Sequence, residues 1–397
     1  MKNKSQYHSE IASELNNILE YWKDFSVDKK NGGFVGQRDH YNKEITGANK
    51  GVILNTRLLW TFSAIGNFKQ PEEVKFYAER AFLYLKDHFK DQKYGGIFWE
   101  LDAEGNPVNK RKQIYAQAFG IYSLSEYYLF SNEQEPKEMA FVLFKLIEEH
   151  ALDRYQNGYF EAFQEDWSPI EDMRLSNKDR NSAKTMNTHL HILEAYTLFL
   201  SITGDKQVKK ALENIVLLFL EKFYNEKNQH FQLFFDEQWN PEGNVISYGH
   251  DIEAVWLLIE AAKAVKNDEL LQKTKEVAVN IANTFLKEAY VPNAGIINEK
   301  DDETGEVDKD RHWWPQAEAM VGLQYACEIS GEYKFQEAAI DIWNFTKAHI
   351  IDHTNGEWFF KIDENNSPYK EEDKLGMWKC PYHNSRACIL LLKNSLL

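Results

Sequence analysis

The stretch Tyr94-Gly95-Gly96-Ile97-Phe98 is one copy of a short turn that recurs along the chain and decides the fold. Gly32, Gly95 and Gly158 are 63 residues apart, and a fixed spacing of this kind is the signature of a repeated supersecondary unit. The sequence therefore predicts six units of roughly 65 residues. The remaining copies of the turn are Asn31-Gly32-Gly33-Phe34, Asn157-Gly158-Tyr159-Phe160, Asn228-Gln229-His230-Phe231, Asn293-Ala294-Gly295-Ile296 and Asn355-Gly356-Glu357-Trp358-Phe359.

Two sets of helix-periodic segments alternate with these turns. The segments before the turns carry charge on one face, which is typical of helices on the outside of a fold. The segments after the turns are richer in apolar and small residues, which predicts inner helices. The outer set covers 9–25, 71–89, 136–150, 206–224, 268–288 and 333–351, and the inner set covers 51–65, 112–130, 183–202, 249–265, 315–330 and 382–393.

Twelve alternating helices predict an all-α fold, an (α/α)6 barrel of six helix pairs that forms one domain over residues 1–397. An open solenoid of helix pairs is the alternative. Connections from inner to outer helices are short, as at Thr203-Gly204-Asp205, whereas connections from outer to inner helices are long. Several of the long ones resemble β-hairpins, for example Gly96–Leu101. Because long ordered loops usually carry function, the N-termini of the inner helices are expected to face the active site.

Composition excludes several classes of partner. The formal net charge is −16, which disfavours binding to nucleic acid and to anionic membranes. The segment Met1–Glu10 has no apolar core of a signal peptide, and no run is long enough to span a bilayer. Three cysteines without metal-like spacing indicate reduced thiols, so we expect a cytoplasmic protein. We also expect it to work as a monomer.

Polar and aromatic side chains cluster where each inner helix starts. Five of the twelve histidines lie in these short segments, together with an arginine and several tryptophans. Six unrelated helices would not be expected to begin with such groups. The set comprises Arg57, Tyr115, Gln117, Asn187, His189, His191, His250, Asp251, Glu253, His312, Trp313, Trp314, Trp378, His383 and Arg386.

Helical spacing sorts the histidines of this cluster. Asn187 and His191 are four residues apart and share a face, whereas His189 points elsewhere and is expected to cap or pack. His250 and Glu253 are three residues apart, so the carboxylate could orient the imidazole. Each of these histidines could instead be a core residue bonded to a carbonyl group.

The residue types favour proton transfer over other chemistries. The chain has no His-Glu-x-x-His motif and no close histidine pair with a third nearby ligand, so no metal site is expected. A glycoside hydrolase needs a carboxylate pair, and Glu253 has no evident partner. Imidazoles titrate near neutrality, and each can serve as base in one state and as acid in the other.

At these residues the chain resembles the N-acylglucosamine 2-epimerase superfamily, with the closest likeness to cellobiose 2-epimerases. The likeness covers essentially the whole chain. Cys380 stands where the family pattern has a glycine, and we expect no change in chemistry because that position lies near the backbone. The most specific segments are Asn187–Tyr196, Gly249–Ala254, Arg311–Glu318 and Trp378–Arg386, the last of which favours the disaccharide epimerases.

The resemblance implies an (α/α)6 barrel, no metal, no redox cofactor and a small-molecule disaccharide substrate. It also implies inversion of C2 in the reducing-end sugar of cellobiose, lactose or mannobiose through an enediolate. By motif match, His250 and His383 are the acid/base pair, and His191 is a third active-site histidine. The substrate would be bound by Arg57, Tyr115, Asn187, Glu253, Trp313 and Trp378.

Within this mechanism Arg57 and His191 would stabilise the enediolate, while Glu253 would orient His250. Trp313 and Trp378 would stack on the sugar rings. Rival functions on the same residues are aldose–ketose isomerisation and N-acylglucosamine 2-epimerisation. Glycoside hydrolysis and non-catalytic sugar binding are rivals of another class.

Overall fold

The computed structural model describes residues 2–69 and 72–393, and this part of the chain is predominantly helical. Met1, the predicted start of the second outer helix at 71, and residues 394–397 lie outside the described residues. The outer helices are α1 (Lys2–Phe25), α3 (Glu72–Tyr84), α5 (Gln134–Leu146), α7 (Lys206–Leu218), α9 (Asp268–Glu288) and α11 (Tyr333–Phe345). The inner helices are α2 (Val52–Lys69), α4 (Ile114–Ser131), α6 (Met186–Thr203), α8 (Tyr248–Val265), α10 (Trp313–Ser330) and α12 (Tyr382–Lys393).

The two sets differ in burial as the sequence predicts. In α4 every residue over 114–125 is buried, whereas α7 buries only a stripe that includes Val208, Leu212 and Ile215. A helix that is apolar all round belongs inside a fold, and an amphipathic one covers it. A single π-helical turn ends four of the outer helices, at Leu85–Phe89, Ile147–Ala151, Phe219–Phe223 and Thr346–Ile350.

Each inner helix contacts the next inner helix along the chain, and α12 also contacts α2. Every outer helix packs against an inner helix, and the first outer helix, α1, packs against the last inner helix, α12. Trp22 on α1 donates from Nε1 to Glu357 Oε2 at 2.7 Å, so the first repeat is bonded to the sixth. No helix among the described residues is long and apolar enough to cross a membrane.

Short strands join the long loops to one another. The pairs β1–β2, β4–β5, β6–β9, β10–β11 and β13–β14 each connect the residues just before an inner helix with the next loop. The starts of five inner helices are thereby held at one face. The strands are β1 (Lys50–Gly51), β2 (Glu100–Leu101), β3 (Pro107–Asn109), β4 (Lys112–Gln113), β5 (Ala162–Phe163), β6 (Lys184–Thr185), β7 (Tyr224–Asn225), β8 (His230–Phe231), β9 (Phe234–Phe235), β10 (Val245–Ser247), β11 (Glu299–Asp301), β12 (Val307–Asp308), β13 (Arg311–His312) and β14 (Lys361–Ile362).

A steric requirement explains why glycine occurs in the recurring turns. Gly158 has φ +82°, and a Cβ added there would lie 2.4 Å from the Trp239 ring, so only glycine fits. Close to four of these turns a buried lysine pairs with an aspartate. In the repeat that contains Asn228-Gln229-His230-Phe231, His230 pairs with Asp251 instead, at 2.6 Å from Nδ1 to Oδ2.

Candidate active site

Arg57, on the first inner helix, is buried with only 3% of its surface exposed. Its Nη2 donates to the hydroxyl of Tyr115 at 2.7 Å, and its guanidinium lies 4.4 Å from the centre of the Phe119 ring. Nε is buried and has no hydrogen-bond partner. Within residues 2–69 and 72–393, no carboxylate forms an ion pair with this guanidinium. Arg57 is therefore a buried cation without a protein counter-charge.

The thiol of Cys380 is the second partner of Arg57. Nη1 of Arg57 lies 3.6 Å from Cys380 Sγ, within hydrogen-bonding range for sulfur. The side chain at position 380 therefore reaches the site, which corrects the expectation that this departure from the family pattern concerns only the backbone.

His191 and Asn187 lie on one face of α6, as their spacing predicts. His191 Nδ1 lies 3.0 Å from Glu194 Oε2, and its ring meets Tyr115 edge-on at 4.8 Å. Burial lowers the pKa of His191 against the opposing effect of Glu194, so the ring is neutral at neutral pH. One turn earlier, the buried Oδ1 of Asn187 has no hydrogen-bond partner, which leaves it available to a ligand.

His250 starts the fourth inner helix, α8. Its Nδ1 lies 2.8 Å from Ser247 Oγ, and its ring lies 4.9 Å from that of Trp314. Burial lowers the pKa of His250 to about 3. The prediction that Glu253 orients His250 is wrong, because Glu253 bonds Arg386 instead, at 2.6 Å.

His383 starts the sixth inner helix, α12, and its ring, like that of His250, contacts the Trp314 ring. Its Nδ1 lies 2.6 Å from Glu318 Oε1, and its ring lies 5.4 Å from Trp314. Burial lowers the pKa of His383 to about 3, although Glu318 opposes the shift. The two histidines thus come from α8 and α12 and contact the same tryptophan.

Arg386 forms a buried cluster with Glu194, Glu253 and Glu318 next to His383. Nη2 lies 2.6 Å from Oε1 of both Glu253 and Glu318, and Nη1 bonds Glu194. Burial tends to raise the pKa of Glu318, but Arg386 and His383 outweigh it and lower that pKa to about 2. Burial and the neighbouring carboxylates raise the pKa of Glu253. Glu253 therefore lies behind the site, in the support of His383.

The two tryptophans predicted to stack on substrate differ in burial. Trp378 is half-buried and lies 6.0 Å from both Trp99 and Tyr115, so it can present a face to a sugar. Trp313 is only 1% exposed, and Lys379 covers its ring at 4.2 Å. The prediction that Trp313 stacks on substrate therefore needs correction, because its ring packs behind His383.

Two groups of side chains among the described residues have the spacing of metal ligands. One is Glu253, Glu318 and His383, but the guanidinium of Arg386 already lies between these carboxylates and supplies the positive charge. The other is Asp308, Asp310 and His312. There Asp310 is paired with Lys361 at 2.9 Å.

Similarity to known proteins agrees with this arrangement. The family model for N-acylglucosamine 2-epimerase (GlcNAc 2-epimerase) matches residues 32–387. The chain belongs to this family. It is a carbohydrate epimerase, an isomerase by class.

Named relatives cover nearly the full length of the enzyme. It is 44% identical over 384 residues to a cellobiose 2-epimerase of Bacteroides fragilis, which spans 96% of this chain and 98% of that protein. A cellobiose 2-epimerase of Dictyoglomus turgidum is 40% identical, with 97% and 98% coverage. The solved cellobiose 2-epimerase of Bacillus thermoamylovorans B4167 superposes with a TM-score of 0.94 at 36% identity, covering 98% of this chain and 99% of that one.

Sequence reasoning missed three residues of the candidate site, which are the Nδ1 partners of the histidines. His-x-x-Glu spacing could have found Glu194, whereas Glu318 lies on another helix from His383 and leaves no local signal. The three residues are Glu194, Ser247 and Glu318. Trp314 belongs to the predicted cluster, and the structure adds that its ring contacts both proposed bases.

His189 agrees with its predicted structural role. Its Nε2 accepts the backbone N–H of Tyr159 at 2.9 Å, and its Nδ1 lies 2.7 Å from the Thr185 carbonyl oxygen. Gln117 accepts the N–H of Ile97 in the same way on α4. His189 is thus the structural counterpart of a glutamine and lies outside the acid/base pair.

Proposed function

We propose that this epimerase inverts C2 of the reducing-end sugar of β-1,4-linked disaccharides, converting a glucose unit to a mannose unit. The observation that carries the proposal is the pair of imidazoles that contact the Trp314 ring. His250 and His383 each have Nδ1 bonded to protein, which leaves Nε2 of each ring for the substrate. A two-base inversion uses one group on each face of the carbon, and we propose this pair for the two roles.

The framework we propose for this chemistry is a single (α/α)6 barrel over residues 1–397. Contacts from each inner helix to the next, together with those between α12 and α2, support a closed ring over an open solenoid. In a closed ring the six inner N-termini surround one site. We further propose a monomer located in the cytoplasm, on the basis of the net charge of −16 and the free cysteines.

In the proposed reaction the pyranose opens and exposes the C1 aldehyde. Nε2 of one histidine of the pair removes the C2 proton, and the electron pair moves to form an enediolate with negative charge on O1. The other histidine returns a proton to the opposite face of C2. The neutral state of both rings at neutral pH suits the base role, and the ring that supplies the proton must first acquire one.

We propose that Arg57 stabilises the charge on O1. A buried guanidinium normally pairs with a carboxylate, because an unpaired buried charge is costly. Among the described residues Arg57 bonds Tyr115 and Cys380 and no carboxylate, so an anion that forms beside it would balance its charge. Preorganised donors of this kind contribute about 3–4 kcal/mol to stabilising a transition state.

The choice of a disaccharide rests on the named relatives and on the aromatic rings near the site. The relatives with the highest identities given above are cellobiose 2-epimerases. The half-buried ring of Trp378 lies 6.0 Å from both Tyr115 and the buried Trp99, so it can stack on the second sugar. We propose that Trp378 binds the 4-linked residue while Asn187 and His191 contact the reducing-end sugar.

The test is incubation with cellobiose in D2O, followed by product analysis by NMR. The proposal expects 4-linked glucosyl-mannose with deuterium at C2. A ketose product would indicate aldose–ketose isomerisation, and released monosaccharide would indicate hydrolysis. Parallel reactions with lactose, mannobiose, glucose, mannose and N-acetylglucosamine define the substrate. Cellobiose returned unchanged would refute the assignment to cellobiose.

Variants of the two bases complete this test. His250→Asn and His383→Asn are expected to lower kcat by about 10²–10⁴-fold, the usual contribution of general acid–base catalysis. The matched control is His189→Gln, a buried histidine of the same cluster that is expected to keep wild-type turnover. Activity retained in either base variant would contradict the two-histidine mechanism.

A further inference from the structure

The two histidines of the proposed acid/base pair have chemically different partners. Nδ1 of His383 faces the carboxylate of Glu318, and Nδ1 of His250 faces the hydroxyl of Ser247. In the described part of the chain no carboxylate oxygen lies within 4.0 Å of a His250 ring nitrogen, whereas Nδ1 of His383 lies 2.6 Å from Glu318 and 3.8 Å from Glu253. One base is therefore supported by a charge and the other by a neutral hydroxyl group.

Ser247 occupies a position where serine ordinarily has another task. It is the N-cap residue of α8, and an N-cap hydroxyl usually accepts a backbone N–H from the first turn. The side chain of Ser247 makes no such bond. By contrast, the N-cap of α6, Thr185, accepts the N–H of Thr188 at 3.1 Å. The hydroxyl of Ser247 is thus directed to His250 and does not cap the helix.

The backbone of Ser247 is held from the following repeat. Ser247 is the last residue of β10 and lies opposite Glu299 of β11, in a three-stranded sheet with β12. Its side chain is buried, with 2% of the residue exposed. The hydroxyl therefore has a fixed position relative to the first turn of α8, where His250 lies.

We infer that Ser247 is the positioning residue of His250. Its hydroxyl oxygen accepts the Nδ1–H of the imidazole, so that the neutral ring keeps the tautomer whose Nε2 faces the substrate. The hydrogen bond made by one imidazole nitrogen decides which tautomer is present. Ser247 thereby has the role at His250 that Glu318 has at His383. This inference rests on the proposed function.

A direct test reads the imidazole rings without turnover. In protein with ¹⁵N-labelled histidine, NMR at neutral pH is expected to show Nδ1 protonated and Nε2 unprotonated for both His250 and His383. Ser247→Ala is expected to shift His250 toward the Nε2–H tautomer and to leave His383 unchanged. Glu318→Gln is expected to perturb His383 and not His250. Signals are assigned by their loss in His250→Asn and His383→Asn.

Thr185→Ala provides the matched control, because it removes a hydroxyl that does cap its helix. It is expected to lower the midpoint of thermal unfolding and to leave the His250 tautomer unchanged. An Nε2–H tautomer of His250 in the wild-type protein would overturn the inference. So would a His250 spectrum that is unchanged in Ser247→Ala. Because the wild-type spectrum alone can overturn it, the test does not depend on how well a variant folds.

Kinetics then separate positioning from binding. Ser247→Ala is expected to lower kcat about tenfold, less than the loss expected on removing His250 itself, with KM changed less than about twofold. Ser247→Thr keeps the hydroxyl and is expected to recover most of the loss. Wild-type kcat in Ser247→Ala would overturn the inference and leave the epimerase proposal intact. If the wild-type enzyme epimerised no disaccharide, the proposed function would fail, while NMR would still decide the role of Ser247.

Discussion

Two buried arginines near the site differ in how their charge is balanced. Arg386 is bonded to three carboxylates, those of Glu194, Glu253 and Glu318. Among the described residues, the hydrogen-bond partners of Arg57 are a phenol and a thiol. The charge of Arg386 is thus balanced by neighbouring carboxylates, whereas no anion of the described residues balances that of Arg57. The difference supports a structural role for Arg386 and the proposed role of Arg57 in stabilising the reacting sugar.

The largest expected effect is on stability, in Arg386→Met. Removing this cation leaves Glu194 and Glu318 buried with no counter-charge, which typically costs about 3–5 kcal/mol in the free energy of unfolding. Urea unfolding monitored by circular dichroism measures the loss. Lys86→Met removes the exposed pair with Glu135 and is expected to leave the free energy of unfolding nearly unchanged, because an exposed ion pair is screened by solvent. Equal losses in the two variants would contradict the structural role of Arg386.

Arg57→Met should lower activity and leave stability intact, in contrast to the loss of stability expected for Arg386→Met. We expect kcat/KM to fall about 10²–10³-fold, as on removal of a donor to a developing oxyanion. The free energy of unfolding should stay the same or rise, because an unpaired buried cation is removed. Steady-state kinetics and urea unfolding of the same preparation test both parts. A variant that loses stability as Arg386→Met does would show that Arg57 has a structural counter-charge.

Two buried histidines, His230 and His189, should make the stability of the protein depend on pH in opposite directions. Burial tends to lower the pKa of His230, but Asp251 and Glu288 outweigh it, and the net shift is upward from 6.5. A raised folded-state pKa means that the stabilisation is complete below about pH 6.5 and is lost as pH rises through the folded value. His230→Gln should therefore destabilise the protein more at about pH 5.5 than at about pH 8.5.

His189 should show the opposite trend. Burial lowers its pKa to about 3, so the unfolded chain binds a proton between about pH 6.5 and 3 that the folded protein does not. Wild-type stability should fall as the pH falls through this range, and His189→Gln should reduce that fall. Urea unfolding across both pH ranges measures the free energy of unfolding of the wild type, His230→Gln and His189→Gln. The same slope for wild type and His189→Gln would contradict a neutral His189.

Cys380→Gly should have the smallest effect. Sulfur is a weak hydrogen-bond acceptor, and Tyr115 still holds the other end of the Arg57 guanidinium. We expect kcat/KM to change less than about threefold, since a weak neutral hydrogen bond contributes well under 1 kcal/mol. A larger loss of kcat/KM, measured alongside Arg57→Met, would place Cys380 among the groups that position the guanidinium.

The sequence predicted the helices well because their signals are local. Turn spacing and apolar periodicity placed the described helix boundaries within a few residues in most cases. The π-helical turns were missed, since residues such as Leu85–Phe89 follow nearly the same side-chain pattern as an α-helix. The six-fold repetition also located the functional face, because it showed which loops are long.

The partners of the histidines could not be predicted in the same way. Helical spacing put Glu253 within reach of His250, but side chains in a helix lean toward its N-terminus. His250 therefore turns back to Ser247, and Glu253 reaches Arg386 on another helix. The Glu318–His383 bond joins residues 65 positions apart, and a single sequence carries no signal for such a pair.

The packing of α1 on α12 has a consequence for the synthesis of the chain. The hydrogen bond from Trp22 to Glu357 cannot form until Glu357 has been synthesised. The same holds for the bond from Nε1 of Trp358 to Glu14, which is 2.7 Å long and joins residues 344 positions apart. Contacts this distant in sequence form late and slow the search for the native state. The first helix therefore leaves the ribosome with an apolar face that has no partner until the last repeat emerges. The enzyme is therefore expected to complete its fold only after the last repeat has been synthesised.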